Sequence, residues 1–177
     1  MSKIKLYIAT TIDGFIARED GSLDWLEELP NPNQIDYGYA DFYATIDQVV
    51  IGRKTYEEVL GFGVDWPYED CTTYVVTSKE GYQPQTNNTE AIHKIDEESI
   101  SRIKSAGEKD VWAVGGGLII TEFLNQGAID EMILCVIPTI LGSGIQLFPN
   151  HPKETKFDLV KTEPFETGAV MLTYKKK

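Results

Sequence analysis

Three stretches of this sequence place glycines, cations and hydroxyls where an anionic ligand would use them. In VWAVGGGLII (111–120) a short apolar run meets three consecutive glycines and then a second apolar run. Glycine inside an ordered element loses more chain entropy than any other residue and packs nothing, so the cluster calls for a reason. A strand that runs through glycines into a helix leaves bare N–H groups at the helix N-terminus. There the helix dipole favours negative charge, and a phosphate meets no side chain. A tight strand-to-helix turn is the alternative, and one glycine would satisfy it. The run carries neither the Lys-Ser/Thr of a Walker loop nor a GxGxxG fingerprint.

The second stretch, VVIGRKTYEEV (49–59), puts Arg53, Lys54 and Thr55 directly after Gly52, at the opening of a helix pattern. Cations at a helix N-terminus oppose the dipole by about 0.3–1 kcal/mol each, and a bound anion turns that cost into charge-assisted hydrogen bonds. The plainer alternative is a solvated pair answering Glu57 and Glu58 one turn on. The third, TYVVTSK (73–79), ends a strand in Thr77, Ser78 and Lys79. Hydroxyls and cations accept a ribose 2′-phosphate where a NAD-preferring site offers an acid; an ordinary polar loop would also carry them. Ligands of open α/β sheets sit outside the carboxyl ends of strands, and all three stretches lie at such ends. Together they point to a phosphate-rich dinucleotide.

The elements that must position these residues follow from periodicity. IKLYIA (4–9) reads as a strand, Asp13-Gly14 as a turn and 20–38 as a long loop. From Asp36, the spacing of Tyr39, Phe42, Tyr43 and Ile46 at i, i+3, i+4 and i+7 predicts an amphipathic helix. Strands are predicted at 49–52, 73–77, 89–95, 111–114 and 131–137, and helices at 54–60, 97–106 and 117–126. Asp96 caps the second helix, while Gly107 and Gly127 close the last two. FDLVK and AVMLTYK flank Thr167-Gly168 as an antiparallel hairpin. The alternation predicts an α/β layer structure, one domain, with a largely parallel sheet and antiparallel strands at one edge.

Composition narrows the function classes. Hydrophobic residues at 42% and charged residues at 25% suit a soluble globular chain of 177 residues. A net charge of −12 argues against a nucleic-acid partner, whose phosphates need clustered Lys and Arg. Cys71 and Cys135 have no metal-ligand spacing, and the isolated His93 and His151 offer no zinc site or catalytic triad. No targeting segment is evident. The longest apolar stretch, MILCVIPTIL, is too short to span a bilayer, so the expected location is cytoplasmic with no membrane partner.

In order and spacing, YIATTIDGFIA, DGSLDWL, VVIGRKTYEEV, TYVVTS, VGGGLIITEFL and AIDEMILCVIPTILGSGIQLF resemble the dihydrofolate reductase superfamily. They look most like the C-terminal reductase domain of the bifunctional riboflavin-biosynthesis deaminase/reductase and small bacterial dihydrofolate-reductase-like proteins. The resemblance covers nearly the whole chain. It implies a three-layer fold around a mostly parallel sheet of about eight strands, NADPH as cofactor, and a homodimer. Ala9 and Ile16 would flank the nicotinamide, and Val114 would be a further cofactor contact. Gly52, Arg53, Lys54 and Thr55, with Thr77, Ser78 and Lys79, would hold the phosphates and adenosine ribose. Gly115, Gly116, Gly117, Leu118 and Ile119 would cradle the pyrophosphate, with a cis peptide joining the first two glycines.

The implied activity is hydride transfer to a C=N or C=O bond of a small pterin- or pyrimidine-like substrate. The superfamily's proton-relaying carboxylate falls on Asp36 by count, where an N-cap is the alternative; Asp13, equally a plain turn residue, is the second candidate. VDWPYEDC (64–71) stands where a folate enzyme carries a carboxylate-binding arginine, which argues against folate. Trp25, Tyr39 and Tyr43 are candidate substrate contacts, or core. A non-catalytic NADP(H)-binding or sensor module is the alternative function.

Overall fold

The computed structural model describes residues 2–177. Fifteen elements run in the order β1 (Ile4–Thr11), β2 (Phe15–Ala17), α1 (Asp24–Glu27), α2 (Tyr39–Tyr43), β3 (Ile46–Gly52), α3 (Arg53–Gly61), β4 (Thr72–Val76), β5 (Thr89–Ile92), α4 (Glu97–Ala106), β6 (Asp110–Gly115), α5 (Gly117–Asn125), β7 (Ile129–Ile137), β8 (Ile145–Gln146), β9 (Phe157–Pro164) and β10 (Val170–Lys176). The main sheet has eight strands in the order β5-β4-β3-β6-β1-β7-β10-β9. The first six are mutually parallel, whereas β10 runs antiparallel to both β7 and β9.

Alternation along the strands supplies two apolar faces. On one, Ile4 and Leu6 of β1, Val50, Val111, Ala113 and Met132 pack with Ile103 of α4 and with Ile120, Phe123 and Leu124 of α5. On the other, Val49 and Trp112 pack with Phe42 of α2, Cys135 and Ile137 with Trp25 of α1, and Ile51 with Tyr56 of α3. Helices on both faces of a parallel sheet bury most of its central strands, and β1, β3 and β6 supply many of the residues with no exposed surface.

Two sequence expectations are corrected here. The helix predicted from Asp36 through Ile46 is only Tyr39–Tyr43; Thr45 donates its hydroxyl to Phe42 O at 2.8 Å, and Ile46 already opens β3. Ile46 remains in the same apolar cluster as Phe42, so its i+7 spacing reports burial rather than helix. The long loop at 20–38 contains the four-residue α1, whose Trp25 anchors it to the sheet. Among the described residues no helix is long and apolar enough to cross a membrane.

Candidate active site

β3 and β6 are neighbours, and both end in glycine; α3 follows Gly52 at once, and α5 follows Gly115 after the single N-cap residue Gly116. The openings of α3 and α5 therefore sit side by side at the carboxyl edge of the sheet. A cleft of about 770 Å³ lies over them, lined by Gly52, Arg53, Lys54, Thr55, Thr77, Ser78, Gly116, Gly117, Leu118 and Ile119. Its far wall is the loop Gly142–Gln146. A second cavity of about 530 Å³ is lined by Ala9, Ile16, Trp25, Val59, Phe62, Val114 and Gly115. Thr55, Glu58, Gly116 and Ile145 line both, so the two spaces meet there.

Each of the three glycines has its own reason. Gly115 adopts φ +137°, where a side chain is strained, and its peptide bond to Gly116 is cis. A Cβ on Gly116 would stand 3.3 Å from Thr55 Oγ1. On Gly117 it would collide with Gln146 O and stand 2.9 Å from Pro149 Cδ. The third glycine is thus required by the protein's own backbone: α5 abuts β8, a two-residue strand that pairs with β2. Gly52 is similarly tight, since a Cβ there would meet Ile119 Cγ1 at 3.1 Å.

The polar groups at the larger cleft suit a diphosphate and a further phosphate. The first N–H groups of α3 and α5 have no acceptor within their helices, and Arg53 and Lys54 add positive charge. Arg53 donates to Glu57 at 2.8 Å, the i,i+4 pair anticipated as its alternative, and the residue also lines the cleft. Thr77 is buried, and its hydroxyl accepts from Lys79 N at 3.1 Å. Lys79 itself lies off the cleft, its ammonium 5.8 Å from the Tyr82 ring. The cleft, its glycine floor and its donor set fit an NADPH-type dinucleotide.

Neither predicted acid is at a cavity. Asp36 is exposed and accepts from Gly38 N at 2.9 Å and Ala40 N at 3.1 Å, which holds its carboxyl below its ordinary value. It caps α2. Asp13 accepts from Thr11 Oγ1 at 2.6 Å, Leu141 N at 3.2 Å and Gly142 N at 2.8 Å, and these bonds likewise lower its pKa. It ties the β1–β2 turn to the loop that walls the larger cleft.

Tyr39 and Tyr43 are also elsewhere. Their rings stack at 5.7 Å within an aromatic group that includes Tyr7, Phe42 and Trp112 on the face beside α2. Of the three candidate substrate contacts only Trp25 walls the smaller cavity.

The carboxylates that do line the cavities are Glu19, Asp20 and Glu58. Glu58 is exposed as a residue, yet its Oε1 lies 3.0 Å from where a Cβ on Gly21 would stand. Partial desolvation raises its pKa, opposed by the charge of Lys54. On the amphipathic helix α3 it looks in sequence like one more surface partner of Lys54; only the fold of the Asp20–Ser22 loop brings it to the junction.

A model of the RibD C-terminal domain family matches residues 2–171. YwjB, an uncharacterised protein of Bacillus subtilis (strain 168), is 43% identical over 173 residues, covering 97% of each chain. A proposed riboflavin biosynthesis protein from Shewanella sp. PV-4 superposes with a TM-score of 0.89 at 32% identity, over 100% of this chain and 99% of that one. Dihydrofolate reductase from Enterococcus faecalis, solved with NADP(H) and RAB-propyl, superposes with a TM-score of 0.71 at 24% identity, over 99% of this chain and 96% of that one. This last likeness speaks for the fold, which is dihydrofolate-reductase-like. The sheet order, the paired helix openings and the sequence match from end to end lead to one conclusion: the chain belongs to the RibD C-terminal domain family.

Proposed function

We propose that the protein is an NADPH-dependent reductase of the riboflavin-biosynthesis type, which passes hydride to a C=N or C=O bond of a small heterocycle. The observation that carries this reading is the meeting of two unlike cavities at Thr55, Glu58, Gly116 and Ile145. One is floored by two helix openings and carries Arg53 and Lys54; the other is walled by Trp25, Phe62, Val59 and Val114.

NADPH, when bound, supplies the hydride. The chain's own groups then divide the work. The first-turn N–H groups of α3 and α5 hold the diphosphate, and Arg53, Lys54 and Ser78 hold the 2′-phosphate side. Ala9, Ile16 and Val114 keep water from the reacting face. Leu23, Phe62, Leu118 and Ile145, each at least 37% exposed, give the cleft an apolar rim on which flat rings gain by burial. Family membership and the NADP(H) carried by the dihydrofolate reductase of the same fold support the cofactor.

The displacement of Asp36 and Asp13 from both cavities is what a non-catalytic NADP(H)-binding module would also show. One titration separates the cases. Trp25 lies in the cavity wall, so energy transfer from tryptophan to reduced nicotinamide reports binding. NADPH is expected to bind at least about tenfold more tightly than NADH, roughly 1.4 kcal/mol. Arg53→Ala with Lys54→Ala should remove most of that preference. Binding of neither cofactor would end the reductase reading, and binding without any substrate-dependent NADPH oxidation would favour the module.

A further inference from the structure

Past β4 the chain continues Thr77-Ser78-Lys79-Glu80-Gly81-Tyr82. Gly81 takes φ +70°, which suits glycine, and the turn closes with Tyr82 N donating to Lys79 O at 3.4 Å. The half-buried Tyr82 folds back onto the cluster formed by Ile51 of β3, Tyr56 of α3 and Val75 of β4. It does not line the larger cleft, although its loop begins at Thr77 and Ser78, which do.

Two cations converge on this one ring. The Arg53 guanidinium carbon stands 6.0 Å from its centroid and the Lys79 ammonium 5.8 Å. An aromatic face attracts each of them through its quadrupole, so the ring keeps together two charges that repel one another. Its hydroxyl end has a further tie. Glu57, which accepts from Arg53 at 2.8 Å, also acts on the Tyr82 hydroxyl. Burial first, and this carboxylate next, push the hydroxyl up to about 12, so it stays protonated beside Glu57. Ring, guanidinium and carboxylate therefore hold one another in place. Long cationic side chains lose rotamer freedom when they bind an anion, and cations ordered beforehand lose less.

Resting on the reductase reading for its ligand, we propose that Tyr82 is a positioning residue for the choice of NADPH over NADH. It gathers Arg53 and Lys79 on one ring beside Thr77 and Ser78, where the phosphate that distinguishes the two cofactors would bind. Tyr82 acts through these cations rather than by touching the cofactor.

Fluorescence titration with NADPH and NADH, and calorimetry with 2′,5′-ADP and 5′-AMP, which differ in the 2′-phosphate alone, test this. Tyr82→Leu keeps an apolar side chain on the cluster and removes the ring. It should weaken NADPH and 2′,5′-ADP at least about fivefold and leave NADH and 5′-AMP within about twofold. Tyr82→Phe keeps the ring and should keep most of the preference. Lys79→Gln, at an exposed position, should lower the preference about threefold in the native protein and no further in the Tyr82→Leu background, since the two act as one unit. Circular dichroism confirms that the variants are folded. Equal loss for all four ligands in Tyr82→Leu would show a packing role only and overturn the proposal. An unchanged preference in either Tyr82→Leu or Lys79→Gln would overturn it too, while leaving the reductase reading intact. Failure of the native protein to bind either NADPH or 2′,5′-ADP would strike the reductase reading, and this proposal with it.

Discussion

Asp13 and Asp36 show how one residue type at two turns acquires two different duties. Both spend their oxygens on backbone N–H groups, but Asp36 organises only the opening of α2 while Asp13 fixes a wall of the larger cleft. Asp36→Asn is expected to leave NADPH binding within about twofold, because Asp36 lines neither cavity. Asp13→Asn should weaken NADPH binding several-fold while the protein stays folded, since one acceptor becomes a donor facing Leu141 N or Gly142 N. Comparing the two variants in one fluorescence titration checks both. Gly117 is the complementary case. Gly117→Ala forces a Cβ against Gln146 O, so overpacking should cost about 1–3 kcal/mol, read as a Tm several degrees lower.

At the scale of elements, α4 is the one whose ends were most legible. Asp96 and Ser99 form a reciprocal capping box, and the sequence places an acid just before a periodic apolar run. Ion pairing with Lys94 and the bond from Ser99 N hold the Asp96 carboxyl down at about 2. The folded form therefore has the lower pKa, and the stabilisation is complete above the ordinary value near 3.8 and lost as pH falls toward 2. Melting curves of the native protein and Asp96→Asn should differ at pH 6 and converge by about pH 2. Elsewhere the sequence gives less. Ile46 satisfies both a helix period and a strand start, and β8 is two residues long, below any readable alternation. The cofactor-side residues were legible because strand, glycine and helix follow one another locally. Glu58 and Asp20 were not, because their meeting depends on a loop closing over α3, and no local pattern encodes that.

For the whole molecule, the sheet order explains why the chemistry collects at one edge. Parallel strands β3, β6 and β1 all point their carboxyl ends the same way, so three separate chain segments converge without long connections. The hairpin β9–β10 completes the sheet on the other side, away from α3 and from the openings described above, with β9 largely exposed as its outer edge.

The shared boundary of Thr55, Glu58, Gly116 and Ile145 has a kinetic consequence. These four residues line both spaces, so whatever fills the larger one borders the smaller. The second molecule then meets a surface that did not exist before the first arrived. Initial-rate plots at several fixed cofactor concentrations should accordingly intersect, the mark of a sequential mechanism in which both molecules are bound together, and dead-end inhibition patterns should show the cofactor binding first. Parallel lines would mean that the first product departs before the second reactant enters, a ping-pong sequence at odds with so open a junction.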